Sequence, residues 1–449
     1  MTTLLSKLSR VAKRSAGTRH FAFSLAGNVL ARLAGLAMAT AIAWAFGATR
    51  STDAFYLALA TTLYVFEIAR IAFEGALIPT LTSYLERGRA AVERFLAACL
   101  KYWVIASATV SVAAAAVGLA LGWRATGTGG EALRYGAGMM ALLIPLGIAG
   151  IGNSLLFAEK RFFIPSIGNA FRPLMAVVGI MVCPRGWQLW GAYWGLLLGS
   201  LMQAAFSLTI VLRAGYRLRL SGALEELYGP MKLAAPIVLG AVLININPVV
   251  DRFIAALMLV ESSVTIYENS FKVYGALTSL FYGSLGVVVI SHWSALYVRR
   301  NTVDLSRSLR KIGGLSIALL PLLTALMIVF SRPLMALAFG RGAYTAEDVA
   351  ITAQAFAVFA IGLWPFFAAG MGSRFLYATG YTRVALVAGS LALVVNIAGD
   401  VALAPRFGVT GIALATTLTY VAVAVYVLFA LRARLRQLGG LANSTHNQK

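Results

Sequence analysis

Long apolar stretches with few charges recur along this sequence from residue 21 to residue 431. Only 12% of the residues are charged, whereas about a quarter are charged in a typical soluble domain. A helix that crosses a bilayer needs roughly 20 apolar residues, and it satisfies its own backbone hydrogen bonds inside the lipid. The sequence therefore predicts an all-α polytopic membrane protein with about twelve transmembrane helices. The predicted spans are residues 21–46, 54–85, 95–122, 135–158, 164–183, 189–212, 231–258, 265–298, 312–330, 349–378, 384–404 and 410–431.

A polar stretch from Arg213 to Lys232 divides the predicted spans into two equal halves. The second span of each half carries charged residues and is followed by a basic loop, so the halves resemble each other weakly. Two equivalent bundles that face a central cavity are a common transporter plan, and we expect two six-helix lobes around such a cavity. The expected parts are a basic cytoplasmic tail at 1–20, an N-lobe at 21–213, a cytoplasmic inter-lobe linker at 214–231, a C-lobe at 232–431 and a cytoplasmic tail at 432–449.

The formal net charge of +22 could indicate a nucleic-acid partner, but the placement of the basic residues argues against one. If the N-terminus is cytoplasmic, most of the 38 Lys and Arg residues fall in termini and loops on that same side, as the positive-inside rule requires. We therefore predict cytoplasmic termini, contacts with anionic membrane lipids and no nucleic acid. The first apolar run is too long for the core of a signal peptide, so a retained first helix is expected.

The sequence offers little that resembles an enzyme's chemistry. Cys99 and Cys183 are expected near opposite membrane faces, which argues against a disulfide, and neither has a metal-ligand spacing. A GxxxxGK[ST] nucleotide loop and a nucleophile triad are both absent from the sequence. We therefore expect a transporter rather than an enzyme, with no cofactor beyond a possible coupling ion.

Charged residues inside the predicted spans are the most informative feature. An ionisable group at bilayer depth costs several kcal/mol unless it faces protein or a water-filled cavity, so such residues mark candidate sites. The set comprises Arg32, Glu67, Arg70, Glu74, Arg172, Asp251, Arg252, Glu268, Lys272, Arg374 and Asp400.

Two groups of these charges have helical spacing. Glu67, Arg70 and Glu74 share one helical face, and Glu268 lies one turn from Lys272. One interpretation is that each group is a neutral internal pair that fixes helix packing, and the sequence leaves open whether Glu67 and Arg70 pair. The excess of cations over acids favours a second interpretation, a cavity for a phosphate or pyrophosphate anion. Snorkelling is an alternative explanation for the cations nearer helix ends, Arg172 and Arg374.

Side chains that carry oxygen atoms form a second group within the predicted spans. Asn396 and Asp400 lie one turn apart in span eleven, Asp251 lies in span seven, and span twelve offers Thr416 and Thr417. These oxygens would suit Na⁺ or a carried proton. They would equally suit hydrogen bonds that hold helices together.

Five motifs are spread over the length of the sequence, at Phe46–Ala48, Thr52–Phe55, Glu74–Pro79, Phe339–Asp348 and Arg374–Arg383. Together they resemble the MurJ (MviN) family of lipid II flippases, within the multidrug/oligosaccharidyl-lipid/polysaccharide exporter superfamily. That resemblance implies two six-helix lobes around a cavity that opens alternately to each side. The family usually has fourteen spans, two more than are predicted here.

The resemblance also implies a substrate site. Arg32 and Arg70 match essential cavity arginines of the family, and Lys272 stands where the family has an arginine in span eight. Met38 replaces a second span-one arginine, and Phe271 replaces an acid in span eight. The expected pyrophosphate and cavity residues are Arg32, Arg70, Lys272, Glu74, Asp53 and Glu268.

The resemblance further implies a sodium site and thereby favours the ion interpretation. Its expected ligands are Asp251, Asn396, Asp400, the Ile412 carbonyl and Thr416. We therefore expect a flippase for an undecaprenyl-pyrophosphate-linked glycan in the bacterial inner membrane, coupled to Na⁺ or membrane potential. Its main expected partner is the lipid-linked substrate, and cell-wall or polysaccharide synthesis proteins are candidate partners. A Wzx-type flippase for exopolysaccharide or O-antigen units is the main alternative. A multidrug or cation antiporter and a non-transport membrane scaffold fit the cationic cavity less well.

Overall fold

The computed structural model describes residues 16–122, 124–161, 163–184, 187, 189–381 and 383–446. Side chains are described in these ranges except at 16–25, 233–237, 239–241, 244, 280–288, 290–291 and 438–446. Every regular element in that part of the chain is a helix, which confirms the predicted all-α class. Residues 1–15 of the predicted N-terminal tail lie outside the described residues.

The chain forms two compact units. The first comprises Met1–Phe46 with Arg50–Ala241, and the second comprises Gly47–Thr49 with Val242–Lys449. The division falls inside a helix, after the inter-lobe linker predicted at 214–231. The helices of the first unit are α1 Ala16–Phe46, α2 Arg50–Ala72, α3 Ile78–Arg87, α4 Arg89–Leu121, α5 Gly127–Met139, α6 Leu143–Ala158, α7 Phe163–Gly168, α8 Phe171–Val182 and α9 Trp190–Arg213.

The second unit begins within helix α10, Glu225–Asn245, which crosses the boundary. The remaining helices are α11 Asn247–Met258, α12 Ser263–Val298, α13 Thr302–Val329, α14 Ser331–Phe339, α15 Ala346–Ile361, α16 Leu363–Ala378, α17 Val384–Phe407 and α18 Val409–His446.

The helices agree with the predicted spans. Among the described residues, 9 helical segments are long and apolar enough to cross a membrane, and α15 with α16, bent by 42°, makes up to 10. These segments cover every predicted span except 231–258 and 265–298. Those two contain α10 with α11 and α12, where part of the side chains lies outside the description. The chain is therefore a multi-pass membrane protein.

The distribution of large side chains suits a bilayer as solvent. Val112 and Met181 in the first unit are each 70% exposed, and Leu257 in the second is 80% exposed. Lipid tails solvate exposed apolar side chains of this kind without penalty. Each unit also buries its own apolar core, centred on residues such as Phe95 in the first and Trp293 in the second.

Helices α8 and α9 approach closely because glycine lines their crossing. A Cβ added at Gly195 would lie 2.1 Å from the Met175 carbonyl oxygen, and one added at Gly179 would lie 2.0 Å from the Gly191 carbonyl oxygen. Small residues allow such backbone contact between membrane helices, where dispersion rather than water drives association. The crossing fixes the N-terminal end of α8, which carries Arg172.

Candidate functional site

Arg70 lies between two carboxylates on the same helical face. Its Nε donates to Glu67 Oε2 at 2.8 Å, and its Nη1 pairs with Glu74. All three side chains are more than a third exposed, so they face a solvent-accessible side of the unit rather than its core. The pairing of Glu67 with Arg70, which the sequence left open, is therefore present.

A π-helical turn positions Glu74. The turn spans Phe73–Leu77, and the Ile78 N–H closes it by donating to the Phe73 carbonyl. Pro79 follows at the start of α3 and contributes no backbone donor. Single π-helical turns are frequent at functional sites. The Glu-Gly-Ala motif thus coincides with a local change of helix geometry, one turn after Arg70.

Two further arginines in this unit lie within the field of Glu67. Arg32 on α1 and Arg172 at the start of α8 each interact electrostatically with Glu67. Glu67 therefore acts on three guanidinium groups, while Glu74 pairs with Arg70. These three cations outnumber the two carboxylates by one. Arg172 was among the intramembrane charges but not among the expected pyrophosphate residues. Its position in the first turn of α8, next to the glycine crossing, could not be inferred from spacing.

Asp53 does not join this cluster. It is buried in the first turn of α2, seventeen residues before Arg70, and at 1.5 Å per residue that is about 25 Å along the helix. The structure therefore separates Asp53 from the arginines with which it was grouped. Met38, where the family resemblance implied an arginine, is buried in the apolar interior of the same unit.

In the second unit, Lys272 belongs to a buried charged triad. Lys272 Nζ lies 3.1 Å from Glu268 Oε1, and Arg252 Nε donates to Glu268 Oε2 at 2.8 Å. Arg252 comes from α11, and the other two residues come from α12. The sequence showed the i, i+4 pair of Glu268 and Lys272 but not the third member, since only the packing of α11 on α12 brings Arg252 to them.

Phe271 has a packing role where the family resemblance implied an acid. Its ring stacks on Tyr267 with centroids 5.7 Å apart and meets Phe359 of α15 edge-on at 5.5 Å. Tyr274 also stacks on Phe359, with ring centroids 5.6 Å apart. Aromatic contacts of this kind stabilise a helix interface, so this face of α12 is held rigidly beside Glu268.

The predicted ion-site residues come together inside the second unit. Asp251 on α11 interacts with the side chains of Asp400 and Asn396 on α17, and Thr416 Oγ1 on α18 lies 3.4 Å from Asp251 Oδ2. Thr416 also donates to the Ile412 carbonyl at 3.1 Å. All five residues are at least nine-tenths buried.

Tyr267 is a member of this site that sequence reasoning missed. Its hydroxyl donates to Asp251 Oδ2 at 2.6 Å, so one carboxylate oxygen is fixed and the other is left to face the centre of the site. A tyrosine sixteen residues from Asp251 carries no spacing signal. Only the crossing of α11 with α12 reveals the contact.

The donor set fits a small monovalent cation. Within the described residues, Asp251 Oδ1, Asn396 Oδ1 and both Asp400 carboxylate oxygens are buried without a hydrogen-bond partner. Buried polar atoms are rarely left unpaired, and oxygen ligands are those that hard cations prefer. The described residues contain no group of three or more His, Cys, Asp or Glu side chains that could hold a metal.

Two helical units whose spans carry charged clusters define a polytopic transporter with an alternating-access fold. The solved structure of the lipid II flippase MurJ in an inward closed conformation superimposes on this chain with a TM-score of 0.78 at 20% identity, covering 91% of this chain and 87% of that one. A multidrug resistance transporter of the MATE family, in an inward-facing conformation, gives a TM-score of 0.68 at 15% identity. It covers 95% of this chain and 96% of its own.

The family model described as "Lipid II flippase MurJ" matches residues 42–448. The chain therefore belongs to that family, as the motifs indicated. A probable lipid II flippase MurJ of Thermotoga maritima is 27% identical over 92% of this chain and 85% of its own. The probable lipid II flippase MurJ of Vibrio cholerae is 24% identical over 87% of this chain and 78% of its own.

Proposed function

We propose that this protein flips an undecaprenyl-pyrophosphate-linked glycan precursor, of the lipid II type, across the bacterial inner membrane for cell-wall synthesis. The observation that carries the proposal is the arginine cluster of the first unit. Arg70 pairs with Glu67 and Glu74, and two further arginines in membrane-spanning helices lie in the field of Glu67. The excess of cations matches an anionic headgroup. A cluster that served packing alone would need no surplus, because an uncompensated charge at this depth is unfavourable.

The proposed pyrophosphate ligands are Arg32, Arg70 and Lys272. Arginine presents a planar fork that matches phosphate oxygens in two hydrogen bonds, and lysine presents a point charge. Arg70 can exchange its carboxylate partners for phosphate oxygens with little loss of free energy. Its ion pairs are more than a third exposed, and such pairs contribute about 0–1 kcal/mol to stability. Glu67 and Glu74 then keep the arginines in place when the headgroup has left.

The buried oxygens of the second unit are proposed to hold Na⁺. Asp251, Asn396, Asp400, Thr416 and the Ile412 carbonyl would surround it, and the ion would supply the positive charge that two adjacent buried carboxylates lack. A bound cation shifts the transport cycle only if it binds one conformation more tightly than another. Membrane potential acts on the same charges and is the other proposed source of coupling.

The proposed orientation places both termini in the cytoplasm. The support is the concentration of Lys and Arg in the loops and termini of one side, which favours retention of that side inside the cell. Lipid-linked glycan precursors are then taken up from the cytoplasmic leaflet.

Arg70→Gln tests the substrate role. The protein is reconstituted in vesicles that carry a fluorescent lipid II analogue, and flipping is measured by quenching of the exposed leaflet. We expect flipping to fall by at least tenfold for Arg70→Gln and to stay unchanged for Arg307→Gln, which removes an exposed cation of the Asp304 pair. Normal flipping by the stably folded Arg70→Gln protein would refute the pyrophosphate role.

Complementation identifies the cargo. The gene is expressed in a strain depleted of its own lipid II flippase, with membrane expression checked in parallel. Rescue supports a lipid II-type cargo. Good expression without rescue would refute it and direct the search to other polyprenyl-linked glycans.

A further inference from the structure

Glu268 is a buried carboxylate that two cations on different helices share. Its Oε2 accepts hydrogen bonds from Arg252, and its Oε1 lies 3.1 Å from Lys272 Nζ. The side chains of Glu268 and Arg252 are each 10% exposed, whereas that of Lys272 is 23% exposed. Lys272 is therefore the member of the triad that an incoming ligand reaches.

How Glu268 is shared between Arg252 and Lys272 decides how much positive charge Lys272 presents to a ligand. Glu268 is the carboxylate in contact with both cations, and Asp251 also acts electrostatically on Arg252. When Glu268 pairs with Arg252, the charge of Lys272 is left within reach of a ligand. When Glu268 turns wholly to Lys272, the ammonium is neutralised and the buried Arg252 keeps only the field of Asp251.

Arg252 is held in place to compete for Glu268. Its Nη1 donates to the Pro248 carbonyl one turn earlier in α11, and its guanidinium carbon lies 5.4 Å from the centroid of the Tyr267 ring. Arginine is less strongly hydrated than lysine and holds a carboxylate through a fixed fork. These contacts leave the guanidinium directed at Glu268.

We propose that Glu268 is a movable internal counter-ion, and that Arg252 is a positioning residue that draws it from Lys272 and so sets the affinity for an anionic pyrophosphate headgroup. The inference rests on the proposed function, since it concerns the same lysine. When the headgroup binds, a phosphate oxygen takes the place of Glu268 Oε1 at Lys272, and Glu268 pairs wholly with Arg252. When the headgroup leaves, Glu268 returns to Lys272 and the buried charges stay paired.

Removing either partner of the Arg252–Glu268 pair has opposite consequences. Glu268→Gln removes the competing anion while keeping the shape of the side chain, so Lys272 binds a pyrophosphate more tightly. Arg252→Gln leaves Glu268 to Lys272 alone, so binding weakens. We expect about a tenfold change in each direction, which corresponds to about 1.4 kcal/mol, the scale of one charge-assisted hydrogen bond. A pair that served only packing would give the same sign for both variants.

Binding of undecaprenyl pyrophosphate to the purified full-length protein in detergent tests the proposal, with undecaprenol as the uncharged probe. The dissociation constant is measured for wild type, Glu268→Gln, Arg252→Gln and the double variant. The double variant lacks both buried charges, so it folds even if Arg252→Gln does not, and we expect it to bind as tightly as Glu268→Gln. Asp304→Asn, which removes an exposed acid of α13, serves as the control and should leave binding unchanged.

The results separate this inference from the proposed function. If wild type binds both lipids equally, or if Lys272→Gln leaves binding unchanged, the proposed substrate role of Lys272 fails and the inference fails with it. If binding depends on the pyrophosphate and on Lys272, yet Glu268→Gln and the double variant bind no more tightly than wild type, only the counter-ion proposal is overturned.

Discussion

Asp400→Asn separates an ion site from a purely structural polar cluster. Asp251 and Asp400 are adjacent buried carboxylates, and two negative charges taken as about 5 Å apart repel by about 3 kcal/mol at an effective dielectric constant of about 20. The amide keeps the shape, removes one charge and adds a donor that can satisfy Asp251 Oδ1. In Na⁺-free buffer we therefore expect Asp400→Asn to be more stable than wild type, by at most about 3 kcal/mol.

Sodium should narrow or abolish that difference. A ligand at about 100 times its dissociation constant stabilises the folded state by about 2.7 kcal/mol, and for a unit of roughly 200 residues each kcal/mol shifts the unfolding midpoint by about 2–4 °C. Wild type should therefore gain about 5–10 °C on saturation with Na⁺. The variant, which lacks one of the two carboxylates, should gain under 2 °C.

The assay is thermal unfolding in detergent, followed by intrinsic tryptophan fluorescence in NaCl and in choline chloride at equal ionic strength. Asp304→Asn is the matched control, because it removes an exposed acid from the same unit and should keep the wild-type response. An equal Na⁺ response in wild type and Asp400→Asn, or no Na⁺-specific response in wild type, would refute the assignment of these oxygens to a cation.

Three further predictions concern individual contacts. Tyr267→Phe removes the donor to Asp251 and should lower the free energy of unfolding by about 1–3 kcal/mol, measured by the same thermal assay; an unchanged midpoint would contradict the contact. Gly195→Ala places a methyl group against the Met175 carbonyl and should lower the free energy of unfolding by about 1–3 kcal/mol. Gly129→Ala, with open space around the glycine, should leave it unchanged. Equal unfolding midpoints for the two variants would contradict the close crossing of α8 and α9. A membrane-impermeant maleimide added to intact cells should label Cys183 and leave the buried Cys99 unlabelled. Mass spectrometry of the purified protein detects the labelled cysteine. Labelling of Cys183 only after the membrane is opened would contradict the proposed orientation.

The spans could be predicted because their signal is local. A run of about 20 apolar residues crosses a bilayer whatever its neighbours are, and the helices observed coincide with those runs. The face shared by Glu67, Arg70 and Glu74 was equally predictable, since α-helical geometry fixes which residues along one helix are neighbours. The π-helical turn at Phe73–Leu77 was not predictable, because it adjusts the rotation of the helix only at that point.

Contacts between helices could not be predicted from the sequence pattern. The i, i+4 spacing of Glu268 and Lys272 indicated a simple pair, and the crossing of α11 on α12 made it a triad by adding Arg252. The grouping of Asp53 with the arginines came from a motif rather than from spacing, and Asp53 lies about 25 Å from Arg70 along α2.

The sequence by itself determined that this chain crosses the membrane many times as helices, and its motifs indicated the family that the comparisons confirmed. Those properties follow from local hydrophobicity, from charge placement and from residues in fixed order. Only the tertiary structure decided which buried charges meet: that Arg252 shares Glu268 with Lys272, and that Tyr267 fixes one oxygen of Asp251. The physical reason is that a buried charge is stabilised by partners within a few ångströms, and helix packing, rather than position along the chain, supplies those partners.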